Sequence, residues 1–335
     1  MKAANSARNP QRIFRARETI DESPRDCTSS DDALRDEIPE LIKKWKYDPA
    51  EEKIRKLEFE LASLKQQYTA SAKEHKGESQ SNDELVKNIL SKEKLTHLLK
   101  AVSSSAHEQI LSEESFAEMF WARTPCKAFV ISIDIRRSTT LMLKSREPQL
   151  FASFITSLCS TLSDIVKDAY GVFDKFTGDG ILAFFPDFYT GTDAAYYTLE
   201  AAEKCHATFT HHYQTHRHCF ISVLKDVGLG IGIDYGDVNL MDFEGGLTVV
   251  GSPVVYACRM AGAPAGLTLL NQPAYEAFDS KLKGVCQIAE ETIDIKGEGM
   301  TLAYSVTKMS KPYTPKQPPW LRHHKQKKHE RKTTN

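Results

Sequence analysis

Two carboxylates set among hydroxyl and cationic side chains mark the chemistry this chain can carry. The first, Asp134, ends the apolar run of FVISIDIRRSTT and is followed by Arg136, Arg137, Ser138, Thr139 and Thr140. An ionised carboxylate at the end of a buried strand costs on the order of several kcal/mol unless a cation or hydrogen bonds compensate it. Either arginine can supply that charge, and a plain salt bridge is the simplest reading of Asp134 taken alone. The second carboxylate, Asp179, lies in the turn Thr177-Gly178-Asp179-Gly180 of GVFDKFTGDGILAFF, between two runs that read as paired strands. If that hairpin lies against the strand of Asp134, the two carboxylates converge, and like charges a few Å apart repel unless a divalent cation is shared between them. Mg2+ is commonly held by one or two carboxylates, with water and phosphate oxygens completing the shell. The RRSTT segment leaves its strand with free backbone N–H groups, cations and hydroxyls, which is the outline of a phosphate cradle. Metal and cradle together point to a nucleoside triphosphate as substrate.

The elements that must position these groups follow from periodicity. AFVISIDI reads as a strand, Gln149 to Asp168 as an amphipathic helix, GVFDKF and GILAFF as a hairpin, and Asp193 to His216 as a second helix. VGLGIGID and LTVVG are strands, Pro253 to Ala261 a helix, LTLLN a strand, and VCQIAE and LAYSV closing strands. The order β-α-β-β-α-β predicts an α+β, ferredoxin-like core with C-terminal additions over residues 126–308. In such a sheet the first strand is central and the hairpin lies beside it. The glycines of GLGIGIDYG sit inside a strand and not at the opening of a helix, so they read as sites of close packing and not as a dinucleotide fingerprint.

The segments FVISIDIRRSTT, VFDKFTGDGILAFF, GLGIGIDYGDV, VVGSPVVYACRM and IDIKGEG, in that order, resemble the class III nucleotidyl cyclase domain. Within that class DIRRST and GSPVVYACR most resemble the bacterial pyrimidine cyclases of Pycsar anti-phage systems, which make cyclic UMP or cyclic CMP. The resemblance implies that Asp134, Asp179 and the backbone carbonyl of Ile135 hold two Mg2+ or Mn2+ ions. It implies that Arg259 neutralises the α-phosphate in the transition state and that Lys296 reaches the phosphates. It further implies a homodimer whose sites are shared, the metal pair coming from one subunit and the arginine from the other, with a separate effector sensing the product. Two positions depart from the purine-cyclase pattern: Val255 stands where a transition-state asparagine is usual, and Thr248 where an aspartate reads adenine. Lys175 matches the base-reading lysine of adenylyl cyclases. The Lys175 and Thr248 pair suits UTP, or CTP, with a purine cyclase of altered pocket and an inactive nucleotide-binding module as the other readings. Taken alone, Lys175 also reads as a solvent-facing strand residue.

The flanks are of a different character. Residues 1–47 are polar and charged and read as disordered. Residues 48–125 read as helical: Ile54, Leu57, Leu61, Leu64 and Tyr68 follow the spacing of a coiled-coil seam, and a second helix follows the GESQSN break, so that dimerisation and packing on the domain are both open. Residues 309–335 are basic and contain prolines, and read as a disordered tail. The net charge of -1 and pI near 6.8 argue against a nucleic-acid binder. Seven cysteines without a C-x-x-C pair read as reduced thiols, and no secretory leader or run of 18 apolar residues is evident, which together give a cytoplasmic expectation. The histidines from His206 to His218 read as an exposed polar helix end and not as a metal site.

Overall fold

The computed structural model describes residues 49–74, 79–243, 246–295 and 299–321. The expectation of disorder over 1–47 and the predicted phosphate contact of Lys296 therefore lie outside the described residues. Strand β1 (Cys126–Arg136) is central. It pairs antiparallel with β3 (Ile181–Pro186) on one side and with β4 (Gly228–Phe243) on the other. β2 (Val172–Phe176) completes the hairpin with β3, giving the order β2-β3-β1-β4. That is the strand order of a ferredoxin-like core. Beyond β4 the sheet continues through β6 (Thr268–Leu270), β8 (Gly299–Lys308) and β7 (Cys286–Ile295), while β5 (Gly246–Val250) folds back on the far half of β4.

The alternation of β1 sorts its side chains to two faces. Phe129, Ile131, Ile133 and Ile135 meet helices α3 (Pro148–Asp168) and α4 (Ala194–Thr215) and the helix of residues Gln272–Lys281. By length and apolarity α3 could cross a membrane, but its Phe154, Leu158, Leu162 and Val166 are fully buried on the sheet, so it is a core helix. Each such burial contributes about 1.5–3 kcal/mol. The opposite face of β1, with Ala128 and Val130, is covered by the end of α2 (Ser79–Ala101) through Leu98 and Leu99, by Phe116 and Phe120, and by Ala257 of the helix Ser252–Met260, here α5.

Helix α1 (Pro49–Glu74) turns Ile54 and Leu57 of the predicted seam toward this same cluster. It runs antiparallel to α2, linked by Lys92–Glu60 and Lys100–Glu58, each at 2.5 Å. The seam is thus at least partly used within the chain.

Of the expected tail of residues 309–335, only 309–321 are described, and these depart from expectation. Residues 309–321 are not a solvated end: Trp320 is 4% exposed, its indole donates to the Tyr189 carbonyl at 2.8 Å, and its ring stacks on Tyr189. Tyr313 and the Lys316 amide both donate to Asp193. The six described cysteines are free thiols. The histidine cluster is only partly exposed, since His206 reaches the Thr268 hydroxyl and His212 the Phe154 carbonyl. Burial lowers His206 to about 4, which keeps it neutral.

Candidate active site

The site is built where β1 ends and the β2–β3 turn passes it. Ile133 of β1 lies opposite Ile181 of β3, so the turn just before Ile181 falls beside Asp134. The Thr177 amide donates to the Gly180 carbonyl at 2.9 Å and closes the turn. Gly180 has no room for a side chain, because a Cβ there would stand 2.0 Å from the Ile133 carbonyl oxygen and 3.2 Å from the Asp134 Cα. This close approach requires glycine. It brings the neighbouring Asp179 to Asp134, whose ionisation feels it.

Asp134 is half-buried, and Arg136, two residues on and therefore on the same face of the strand, donates to it at 2.8 Å. Of the two arginines it is the counter-ion. Burial first, and then the charge of Asp179, hold the Asp134 carboxyl above the usual carboxylate range despite Arg136. One guanidinium is thus insufficient for the two carboxylates, and the remaining demand for positive charge is what a divalent cation satisfies. Among the described residues no group of three or more Cys, His, Asp or Glu gathers as a metal site, so an ion here would rest on the Asp134 and Asp179 carboxylates and on water. That set fits a hard, hydrated ion such as Mg2+ or Mn2+ and not zinc. The Ile135 side chain is buried in the core.

The remaining cradle residues separate. Arg137 adopts a left-handed conformation with φ 64° and donates to the Lys225 carbonyl at 2.8 Å, which fixes the loop before β4 instead of facing Asp134. Ser138 and Thr139 open a six-residue helix, Ser138–Leu143, whose first amides lack intrahelical acceptors.

A second polar group lies on the hairpin. Lys175 donates to the Thr248 hydroxyl at 2.6 Å, so β2 and β5 bring together the two residues that the sequence pairs as base readers. The solvent-facing reading of Lys175 is partly right, as its side chain is 51% exposed. Sequence reasoning missed the third member, Asp174. A bulge lies between Phe173 and Lys175, and the Asp174 side chain, two residues on from the buried Val172, is 1% exposed. It accepts from the Thr248 hydroxyl at 3.2 Å and from the Val249 amide at 3.4 Å. Burial raises its pKa, opposed by Lys175 and these hydrogen bonds. The only available signal was an acid directly before Lys175 in a short strand.

Helix α5 presents Arg259, whose guanidinium lies over the Tyr256 ring at 5.4 Å. Val255 is 47% exposed on the same helix, four residues earlier. The helix sits directly on β4, because a Cβ at Gly232 would come within 2.0 Å of the Ala257 carbonyl oxygen. The strand glycines are therefore packing positions, as the sequence indicates. Beneath α5, Asp234 is 2% exposed, accepting from the Tyr235 amide at 2.8 Å and the Asn271 amide group at 3.2 Å. Burial pushes it up to about 6.

No protein-family model matches the chain, and no curated protein sequence does. Among solved structures the chain is similar to the adenylyl cyclase CyaB from P. aeruginosa, with 24% identity and a TM-score of 0.48 over 57% of this chain and 98% of that one. It is similar to the guanylyl cyclase Cya2, with 19% identity and a TM-score of 0.49 over 58% and 98% of the two chains. The guanylate cyclase domain of RhGC from Catenaria anguillulae in complex with GTP gives 18% identity and a TM-score of 0.45 over 56% and 99%.

Proposed function

We propose that this chain is a nucleotidyl cyclase of the class III type, acting as a homodimer on a pyrimidine nucleoside triphosphate, UTP before CTP, and releasing pyrophosphate. The observation that carries the reading is the convergence of Asp134 and Asp179 across Gly180, with Asp134 raised by burial and by its neighbour's charge. Asp134, Asp179 and the Ile135 carbonyl would hold two Mg2+ or Mn2+ ions, which when bound supply positive charge to the triphosphate and acidify the ribose 3′-hydroxyl. The chain's own residues do the positioning. Lys175 and Thr248 hold the base, while Arg136, Ser138 and Thr139 lie where the triphosphate passes the end of β1. Arg137 is dropped from this set, since its guanidinium is engaged at Lys225. In the reaction the ribose 3′-hydroxyl gives up its proton to water as the O3′–Pα bond forms and the bond from Pα to the bridging oxygen of the β-phosphate breaks. Arg259 of the partner subunit neutralises the charge that develops on the α-phosphate, and Lys296 contributes to the leaving pyrophosphate. Val255 offers no hydrogen bond at this point, so the arginine acts without a companion from that position.

The lysine–threonine pair, unlike an acid–lysine pair, is the feature that supports a pyrimidine. A cytoplasmic Pycsar-type role, in which a separate effector senses the cyclic nucleotide, follows from the same resemblance. The test is mass-spectrometric product analysis of purified protein with Mn2+ and each of the four nucleoside triphosphates. Cyclic UMP or cyclic CMP as the main product is expected. Turnover of ATP or GTP alone would move the assignment to a purine cyclase, and binding without turnover to an inactive module.

A further inference from the structure

Resting on the nucleotide reading above, we propose that the buried Asp174 carboxylate is a positioning residue that fixes the hydrogen-bond polarity of the base site. It holds Thr248 as an acceptor and Lys175 as a donor, so that the pair reads the order of N–H and acceptor along a base edge, an order that is opposite in uracil (N3–H, O4) and cytosine (N3, N4–H) and likewise in guanine and adenine. The argument is one of proton counting. A hydroxyl has one proton and two lone pairs, an ammonium has only donors, and an ionised carboxylate has only acceptors. The Thr248 proton is committed to Asp174 at 3.2 Å, and one of its lone pairs accepts from Lys175 at 2.6 Å. One lone pair remains for an incoming N–H. Lys175, half-exposed and carrying further protons, can turn toward a base acceptor without leaving Asp174 uncompensated, because Thr248 and the Val249 amide still donate to it. A freely rotating threonine hydroxyl would accept or donate equally well and discriminate little.

The experiment measures equilibrium binding of the four 3′-deoxynucleoside triphosphates, which cannot cyclise, to the full chain with Mn2+. Wild-type protein is expected to rank the bases. Asp174→Ala and Thr248→Val should flatten that ranking by about tenfold or more between best and worst base. Asp174→Asn, which keeps an acceptor oxygen, and Thr248→Ser, which keeps the hydroxyl, should retain it. Thermal melting of each variant separates loss of fold from loss of discrimination. If Asp174→Ala weakens all four nucleotides equally, or if Thr248→Val keeps the wild-type order, the inference is overturned, as it is if wild-type protein shows no order. Ranked binding without cyclisation of any ribonucleotide would sink the cyclase reading while leaving the base-site inference standing.

Discussion

At the scale of single residues, the account turns on how buried carboxylates are compensated. Asp134 is paired with the Arg136 guanidinium and still feels the charge of the nearby Asp179. Removing either acid should therefore relieve repulsion in the empty protein while destroying its capacity for divalent ions. Asp179→Asn is expected to lower cyclisation at least about a hundredfold and to leave melting temperature unchanged or higher. Activity within about threefold of wild type would remove Asp179 from the site. Asp234 gives a prediction that depends on pH. Its carboxyl titrates near 6 in the folded chain against 3.8 ordinarily, so the folded state binds the proton more tightly and stability falls as pH rises from about 4 to about 6. Above that window the buried charge costs on the order of 2–3 kcal/mol. Asp234→Asn should accordingly stabilise the protein at pH 7.5 and lose that advantage at pH 4, as read by denaturant melts at the two values. A variant destabilised at pH 7.5 would show that the charge itself is needed beneath α5.

At the scale of elements, glycine spacing decides how closely α5 lies on β4. Gly232→Ala would drive a methyl group into the Ala257 backbone, which cannot yield as a side-chain end can. It should cost about 1–3 kcal/mol and reduce activity by displacing Arg259. Retention of both stability and activity would mean that α5 is free to shift. Most of this layer was legible in the sequence. The period-two runs of β1, β3 and β4 and the helical runs of α3 and α4 gave the β-α-β-β-α-β order, and the TGDG turn placed Asp179 at the hairpin tip. What escaped depends on distant partners. Asp174 is held by Thr248 and Val249 of β5, 74 and 75 residues away. Arg137 is drawn to a carbonyl 88 residues away. Trp320 is buried by rings of Tyr189, Tyr170 and Phe116, none of them near it in sequence. A polar, proline-containing stretch therefore read as a tail. Trp320→Ala is expected to destabilise the fold by about 3–5 kcal/mol, and an unchanged denaturation midpoint would return residues 309–321 to the status of a loose end.

At the scale of the whole molecule, the proposed chemistry is divided between two copies of the chain. Asp134 and Asp179 stand at one end of β1, whereas Arg259 lies on α5 with Val255 open on the same helix. Under this arrangement each site takes its metal-holding acids from one subunit and its arginine from the other. The N-terminal helices pack α2 on the sheet and link α1 to α2, so they are part of the sheet's covering and not a separate module. The most direct test mixes two inactive proteins, Asp134→Ala and Arg259→Ala, and follows pyrophosphate release after subunit exchange. Each alone should be inactive. Random exchange makes about half of the dimers mixed, each with one intact site, so activity should return to about a quarter of the wild-type level. If mixed dimers form, as judged by pull-down of one tagged subunit with the other, and no activity returns, the shared-site account is contradicted.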